Sequence, residues 1–272
     1  MYDDVFKLRY GYAPIAIGIY PEIEEHFHCE FEMLLIEKGS CVLEIGNNKY
    51  YGKSGDLFFV NPLEKHSLTE RTKDYFHKCI CFDTELIADE NLKYSLKNGE
   101  LLVPNFFKSD SDDTKILSEY FLKLFEISLN NKTTLSLECS IYISAIFLHL
   151  IDNSLLIQRF QSKKEKEFCQ KTVKFISENY NKKTSSKDIA KNLHYSQSYF
   201  CRAFRNNFGV SFTDYLNMYR VYKAKEALLK KTTTVTEVSE SCGFDSPTYF
   251  ARMFKKYIGM TPTEFQKVNS VH

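Results

Sequence analysis

The 272-residue sequence contains no apolar run long enough to cross a bilayer. Its longest, around Ile141 to Ile151, is too short and too polar in its flanks, which excludes a helical membrane span. No signal-like stretch precedes the first polar residues, so the expected location is the cytoplasm. The eight cysteines form no CxxC pair and no even spacing. Reduced thiols of a cytoplasmic protein account for them better than a disulfide framework or structural zinc does. Cys79 and Cys81 are expected as strand neighbours on one face. An excess of charge is missing too, the net being only +1. That small value conceals two opposed halves: residues 1–163 hold 17 Lys and Arg against 25 Asp and Glu, and residues 164–272 hold 19 against 10. A basic half joined to an acidic one is the charge distribution of a polyanion-binding module attached to a separate domain.

What the chain does contain is a repeat. Ser198 to Tyr215, SYFCRAFRNNFGVSFTDY, recurs as Thr248 to Phe265, TYFARMFKKYIGMTPTEF. Tyr199/Tyr249, Phe200/Phe250, Arg202/Arg252, Phe204/Phe254, Gly209/Gly259 and Thr213/Thr263 are identical. At 3.6 residues per turn, Tyr199, Phe200, Ala203 and Phe204 make an apolar stripe, and Ser198, Cys201, Arg202 and Arg205 a polar one. The second copy divides likewise, with Tyr249, Phe250, Met253 and Phe254 opposite Thr248, Ala251, Arg252 and Lys255. Each copy is therefore expected as a helix with one face for a core and a small, cationic face for something outside.

Helix starts of the S/T-x-x-D/E type punctuate this half at Ser185/Asp188, Ser211/Asp214, Thr234/Glu237 and Thr261/Glu264. Ser196 and Ser246 cap the two repeat helices, and Pro247 and Pro262 fit first-turn positions where no backbone NH is needed. Each repeat thus reads helix, turn, helix. The turns fall at His194-Tyr195 and at Gly243-Phe244-Asp245. Gly243 supplies a positive φ, and His194 is a less comfortable substitute. This is the helix-turn-helix arrangement, in which the second helix lays its amino-terminal turns on base edges in the major groove. A helix from Thr213 to about Lys230, ~27 Å long, would hold two such readers roughly one DNA turn, ~34 Å, apart.

The other half reads as β from Ile15 to about Phe82, with Gly46-Asn47-Asn48 as a hairpin turn, and regular short strands argue for a barrel or sandwich. In an extended strand His26, His28, Glu32, Leu34 and Ile36 share one face, and His66 is a possible fourth polar member. Two histidines and a carboxylate with a third histidine suit Zn, Fe, Mn, Ni or Cu, or an organic ligand, or a polar interior without any ligand. The passage resembles the first cupin motif, HxH, three residues, Glu, six residues, Gly. The second motif is only approximated from Gly55 to His66, a spacing similar to that of sugar-binding cupin relatives found in transcription regulators. Helical periodicity follows at Ile116, Leu117, Tyr120, Phe121, Leu124 and Phe125 and again from Leu135 to Leu150. These two helices are candidates for a homodimer seam, intradomain packing being the plainer alternative.

The fold class expected is α+β: a cupin-like sensor barrel over 1–108, a helical dimerisation region over 109–160, a linker over 161–166, and an all-α DNA-binding domain over 167–272 with two helix-turn-helix motifs joined by a long helix. Residues ~165 to 267 resemble the DNA-binding region of the AraC/XylS family of transcription regulators. GFDSPTYFARMFKKYIGMTPTEF carries the resemblance, and Gln266 departs from it where an Arg is common. Carried over by position, the resemblance implies base-reading side chains at Ser198, Cys201 and Arg202, and at Pro247, Thr248, Ala251 and Arg252. Arg202 and Arg252 suit guanine O6/N7, whereas Pro247 and Ala251 offer only apolar contact. Ser196, Arg205, Ser246, Lys255 and Lys256 are better placed for phosphates. A surface salt bridge is the plain alternative for each arginine.

The function implied is a non-enzymatic DNA-binding regulator, an activator by resemblance. Its partners are double-stranded DNA, RNA polymerase and a small-molecule effector held near His26, His28, Glu32 and His66. No cofactor and no metal are expected, and any divalent transition metal would take those same four residues. The alternative is a metal-dependent cupin enzyme or metal sensor fused to a DNA-binding module.

Overall fold

The computed structural model describes residues 15–18, 23–129, 135–160, 162–229 and 233–269. The chain divides into two compact units, Met1–Gln161 and Ser162–His272. Among the described residues no helix is long and apolar enough to cross a membrane.

The first unit begins with eight strands, β1 (Ile15–Gly18), β2 (Ile23–His26), β3 (Phe31–Lys38), β4 (Ser40–Ile45), β5 (Asn48–Lys53), β6 (Leu57–Val60), β7 (His66–Arg71) and β8 (Phe76–Phe82). It continues through α1 (Glu90–Lys97), β9 (Leu101–Leu102), β10 (Phe106–Phe107), α2 (Asp112–Ser128), α3 (Leu135–Asp152) and β11 (Ile157–Gln158). One antiparallel sheet runs β1-β8-β3-β6-β10 and a second β2-β7-β4-β5, while β9 and β11 pair separately. Gly46, at φ +60, turns β4 into β5.

Side-chain alternation explains the burial. From β3, Leu34 and Ile36 point to the interior between the sheets and meet Phe58, Val60 and Cys79 of their own sheet and Cys41, Leu43 and Ile45 of the other. Phe31, Met33 and Leu35 point the opposite way, joining Leu57, Phe59, Ile80 and Phe82 in a second core closed by Leu117, Phe121 and Leu124 of α2 and Ile143, Ile146, Phe147 and Leu150 of α3. The first sheet is therefore covered on both faces, which is why β6 is wholly apolar, LFFV, and wholly buried. The helices expected as a separate dimerisation region over 109–160 belong to this unit's own core, because the outer face of the sheet needs their apolar stripes as a lid.

The second unit is helical: α4 (Lys163–Asn179), α5 (Ser186–Asn192), α6 (Gln197–Phe208), α7 (Phe212–Leu228), α8 (Val235–Ser241), α9 (Pro247–Ile258) and α10 (Pro262–Asn269). The linker expected over 161–166 is corrected here. Gln161 lies outside the described residues, and from Lys163 the segment is the first turn of α4, capped by the Ser162 hydroxyl, which accepts from Glu165 N at 3.2 Å. Its lysines face solvent, and the buried stripe Phe168, Cys169, Thr172 and Ile176 follows.

Phe200 and Phe204 of α6 and Phe250 and Phe254 of α9 are all fully buried, as equivalent positions of a repeat should be. Around them Phe208, Phe212 and Tyr215 pack ring to ring on the first motif, and Phe244 and Phe265 on the second. The capping boxes Ser185/Asp188 and Thr234/Glu237 are complete. Thr261/Glu264 makes the same reciprocal bonds, and Ser211 caps α7. The long helix between the motifs is buried around most of its circumference. It supplies two polar ties: Asn217 Nδ2 donates to Tyr249 Oη at 2.7 Å, and Arg220 donates from Nε to Tyr180 O at 2.7 Å and from Nη2 to Lys182 O at 2.8 Å.

Candidate functional site

The turns of the two motifs are built alike from unlike residues. His194 and Gly243 occupy equivalent places with φ +60° and +81°. At Gly243 the left-handed backbone is one requirement and space is another: a Cβ there would lie 2.5 Å from Tyr180 O. These turns aim the starts of α6 and α9 outward, where Ser196 and Ser246 cap the helices by accepting from Tyr199 N at 3.2 Å and Tyr249 N at 3.3 Å. Each hydroxyl keeps its own hydrogen to donate.

On α6, Ser198, Cys201, Arg202 and Arg205 are all exposed. On α9, Pro247, Thr248, Arg252, Lys255 and Lys256 are exposed and Ala251 is half-buried. The Arg252 guanidinium lies 5.1 Å from the centroid of the Tyr249 ring, a stacking contact that holds the charge above the helix surface. Lys256 is engaged otherwise, 3.7 Å from Asp214 Oδ1 and over the Tyr257 ring at 5.0 Å, so part of its charge is answered within the protein. Tyr199, read as core, is 38% exposed and packs at a tilt on the Tyr195 ring, centroids 4.9 Å apart. Its counterpart Tyr249 is drawn inward by the Asn217 bond. Gln266 donates to Thr233 O at 2.8 Å and so serves as a brace between α10 and the approach to α8.

In the first unit the structure brings together the four residues read as one polar face, though not by strand alternation. Strand β2 ends at His26, Phe27 to Glu30 form a turn, and β3 begins at Phe31. His26 pairs across to His66 on β7, His28 reaches in from the turn, and Glu32 projects from β3. The ring centroids lie 4.1 Å (His26–His66), 5.0 Å (His28–His66) and 5.7 Å (His26–His28) apart. Glu32 Oε2 is 3.2 Å from His28 Nε2 and 2.8 Å from His66 Nε2. Burial pulls His28 toward its neutral form, but its hydrogen bond and charge contact with Glu32 overcome this and raise its pKa to about 10. Burial also works to raise Glu32, yet the two imidazoles hold it well below the usual carboxylate range.

Sequence reasoning missed the neighbours of this cluster. Cys79 Sγ donates to Glu32 Oε1 at 2.8 Å, and Cys81 Sγ lies 3.9 Å from Cys79 Sγ on the same strand face. The signal was present in the β8 alternation, but not the cross-strand register of Leu34 with Cys79 and Glu32 with Cys81. A separate cavity of about 620 Å³ opens beside β4, β5 and β7, lined among others by Cys41, Tyr51, Asp56, Arg71, Phe106 and Lys108. None of His26, His28, Glu32 and His66 lines it.

A β domain of this build, with a paired helix-turn-helix unit on the same chain, defines the class of helix-turn-helix transcription regulators. The AraC-like ligand-binding domain profile matches residues 12–151 and a helix-turn-helix domain profile matches residues 189–267. The chain belongs to the AraC family of helix-turn-helix transcription regulators. Among curated relatives, the HTH-type transcriptional regulator YdeC of Bacillus subtilis is 25% identical over 266 residues, covering 96% of this chain and 88% of that one. The lactose operon transcription activator of Staphylococcus xylosus is 21% identical over 238 residues, 88% and 84% of the two chains. ToxT of Vibrio cholerae O395 shares the fold across 95% of this chain and 99% of its own, with a TM-score of 0.54 at 16% identity. ToxT of strain SCE256, solved with an unsaturated fatty acid bound, aligns with a TM-score of 0.55 at 14% identity.

Proposed function

We propose that this regulator binds a specific duplex site by laying the starts of α6 and α9 in successive major-groove segments, and that an effector in its first unit governs that binding. One observation carries the reading: the repeat keeps Phe200/Phe250 and Phe204/Phe254 fully buried while Arg202 and Arg252, identical and equivalent, stand exposed on the opposite faces. Arg202, with Ser198 and Cys201 beside it, reads bases. Arg252, with Pro247, Thr248 and Ala251, has fewer hydrogen-bonding neighbours and positions more than it specifies. Ser196, Ser246, Arg205, Lys255 and, to a lesser degree, Lys256 meet phosphates.

The effector reading is supported by the 620 Å³ cavity, whose size suits a small organic molecule and whose aromatic and charged lining suits a polar one. The relative in Staphylococcus xylosus, named as an activator, favours activation and with it contact to RNA polymerase. A homodimer is supported by α3, where Leu137, Ile141, Leu148 and Ile151 stay exposed at heptad-like steps along one stripe. A cytoplasmic location and a non-enzymatic role accord with regulation of transcription.

The test is a binding-site selection with Arg202→Ala and Lys255→Ala. Arg202→Ala is expected to relax preference at one base position, at a cost of about 1–3 kcal/mol. Lys255→Ala is expected to weaken binding on all sequences and flatten the salt dependence by about one unit. Even losses on every sequence from both variants would overturn the assignment.

A further inference from the structure

The two motifs repeat each other in shape and not in charge. From Ser186 to Phe208 the first holds the cations Lys187, Lys191, Arg202 and Arg205 against the single acid Asp188. From Val235 to Ile258 the second holds Arg252, Lys255 and Lys256 against Glu237, Glu240 and Asp245. The difference sits on the supporting helices. Counted from the capping residues Ser185 and Thr234, Lys187 of α5 corresponds to Thr236 of α8 and Lys191 to Glu240, and all four are exposed.

Lys187 and Lys191 also differ from lysines on the other helices. Lys115, Lys123, Lys171, Lys174 and Lys223 each face an acid three or four residues away. Lys187 and Lys191 make no ion pair among the described residues. They lie one turn apart on the same face, a like-charged spacing that weakens a helix. Asp188, three residues before Lys191, turns back to the cap instead, accepting from Ser185 N at 2.8 Å. Both ammonium groups are thus left to an anion outside the protein. Gln197 fixes where they stand: as the first residue of α6, it donates from Nε2 to Ser186 Oγ at 2.9 Å and ties the start of α5 to the start of the reading helix. In the second motif Pro247 and Val235 hold these positions, and neither side chain can make the bond.

We propose that the motifs grip DNA unequally: Lys187 and Lys191 bind phosphates beside the groove that α6 enters and make the first motif the anchor, and the second motif docks after it. The inference rests on the DNA reading above and adds two phosphate-binding residues and an order of engagement to it. The first helix of a helix-turn-helix crosses the sugar-phosphate backbone. Two unpaired lysines there neutralise phosphates on any sequence and release the counterions those phosphates held. Glu240, at the place of Lys191, repels the same backbone, so the second motif keeps only the contacts of α9. Lys256, one of the cations there, already faces Asp214 at 3.7 Å.

The test uses the full-length chain with two probes, a random-sequence duplex and the duplex recovered by binding-site selection, each titrated between 50 and 200 mM salt. Lys187→Gln with Lys191→Gln is expected to weaken binding to both probes and lower the salt slope by about two units, so that affinity falls roughly tenfold less across that range. Lys171→Gln, on α4, is the control and is expected to change neither. Glu240→Lys is expected to tighten binding to the selected duplex and steepen its slope by about one unit, a gain that misfolding does not produce. Scrambling the half of the selected site read by α6 is expected to abolish the specific complex, and scrambling the half read by α9 to leave a weaker one. An unchanged slope in the double variant, no gain from Glu240→Lys, or a larger loss from the α9 half would overturn the proposal. Arg202→Ala is read on the same duplexes: a relaxed base preference beside unaffected lysine variants sinks this inference alone, whereas even losses from Arg202→Ala sink the reading beneath it.

Discussion

His77 is the residue whose environment has the most direct consequence in solution. It is 1% exposed between the sheets, its Nε2 lacks a partner, and burial pushes its pKa down to about 4. In the fold the ring is therefore neutral at pH 7, and it stays neutral well below the pH at which an unfolded histidine takes up a proton, ~6.5. As pH falls from about 6.5 to 4 the unfolded chain gains a proton that the folded chain refuses, so this contribution to stability declines over that window and levels off below it. The full effect is on the order of 3 kcal/mol. His77→Gln is expected to flatten the fall of the first unit's unfolding free energy between pH 7 and 4; an unchanged slope would assign the acid sensitivity elsewhere. Arg220 makes a related point about legibility. It lies on the buried stripe with Leu216 and Ala224, four residues apart, and an arginine at a core position signals a charge recruited to satisfy backbone carbonyls. That signal was in the sequence, but the carbonyls of Tyr180 and Lys182 were not.

At the scale of elements, the two motifs offer an internal comparison. The turn at Gly243 combines a left-handed backbone with a wall 2.5 Å from any Cβ, whereas the turn at His194 carries a side chain in the same conformation, exposed. Gly243→Ala is expected to cost more than the ~1–2 kcal/mol of left-handed backbone alone, since the Tyr180 carbonyl must also move. His194→Gly is expected to be neutral or mildly stabilising. Calorimetry on both variants checks the pair, and equal effects would mean that the wall is soft. Caps and turns were read correctly from the sequence because they involve residues three apart. Helices α1 and α4 were missed: α1 is short, and the lysine-rich opening of α4 reads as linker until its stripe begins at Phe168.

At the scale of the whole molecule, the exposed stripe of α3 is the feature a single chain leaves without an explanation. Leu137 is 66% exposed, Ile141 57% and Leu148 58%, although the opposite side of the same helix is fully buried. If a second copy covers this stripe, Leu148→Glu should shift the sedimentation coefficient from dimer to monomer at micromolar concentration while leaving the circular dichroism unchanged. A wild type that sediments as a monomer, or a variant that remains dimeric, would place the seam elsewhere.

Taken alone, the sequence determined the class of the fold, the duplicated reader with its two exposed arginines, the opposed charges of the two halves, and the set His26, His28, Glu32 and His66. Each is written in periodicity, repetition or composition, which are properties of neighbouring positions. Tertiary structure alone decided that α2 and α3 close the core of the first unit, that the cavity opens beside Tyr51 and Arg71 away from the histidines, and that Cys79 stands against Glu32. Those outcomes depend on strand register and on which faces meet, and a strand shifted by one residue would carry the same letters with every side chain reversed.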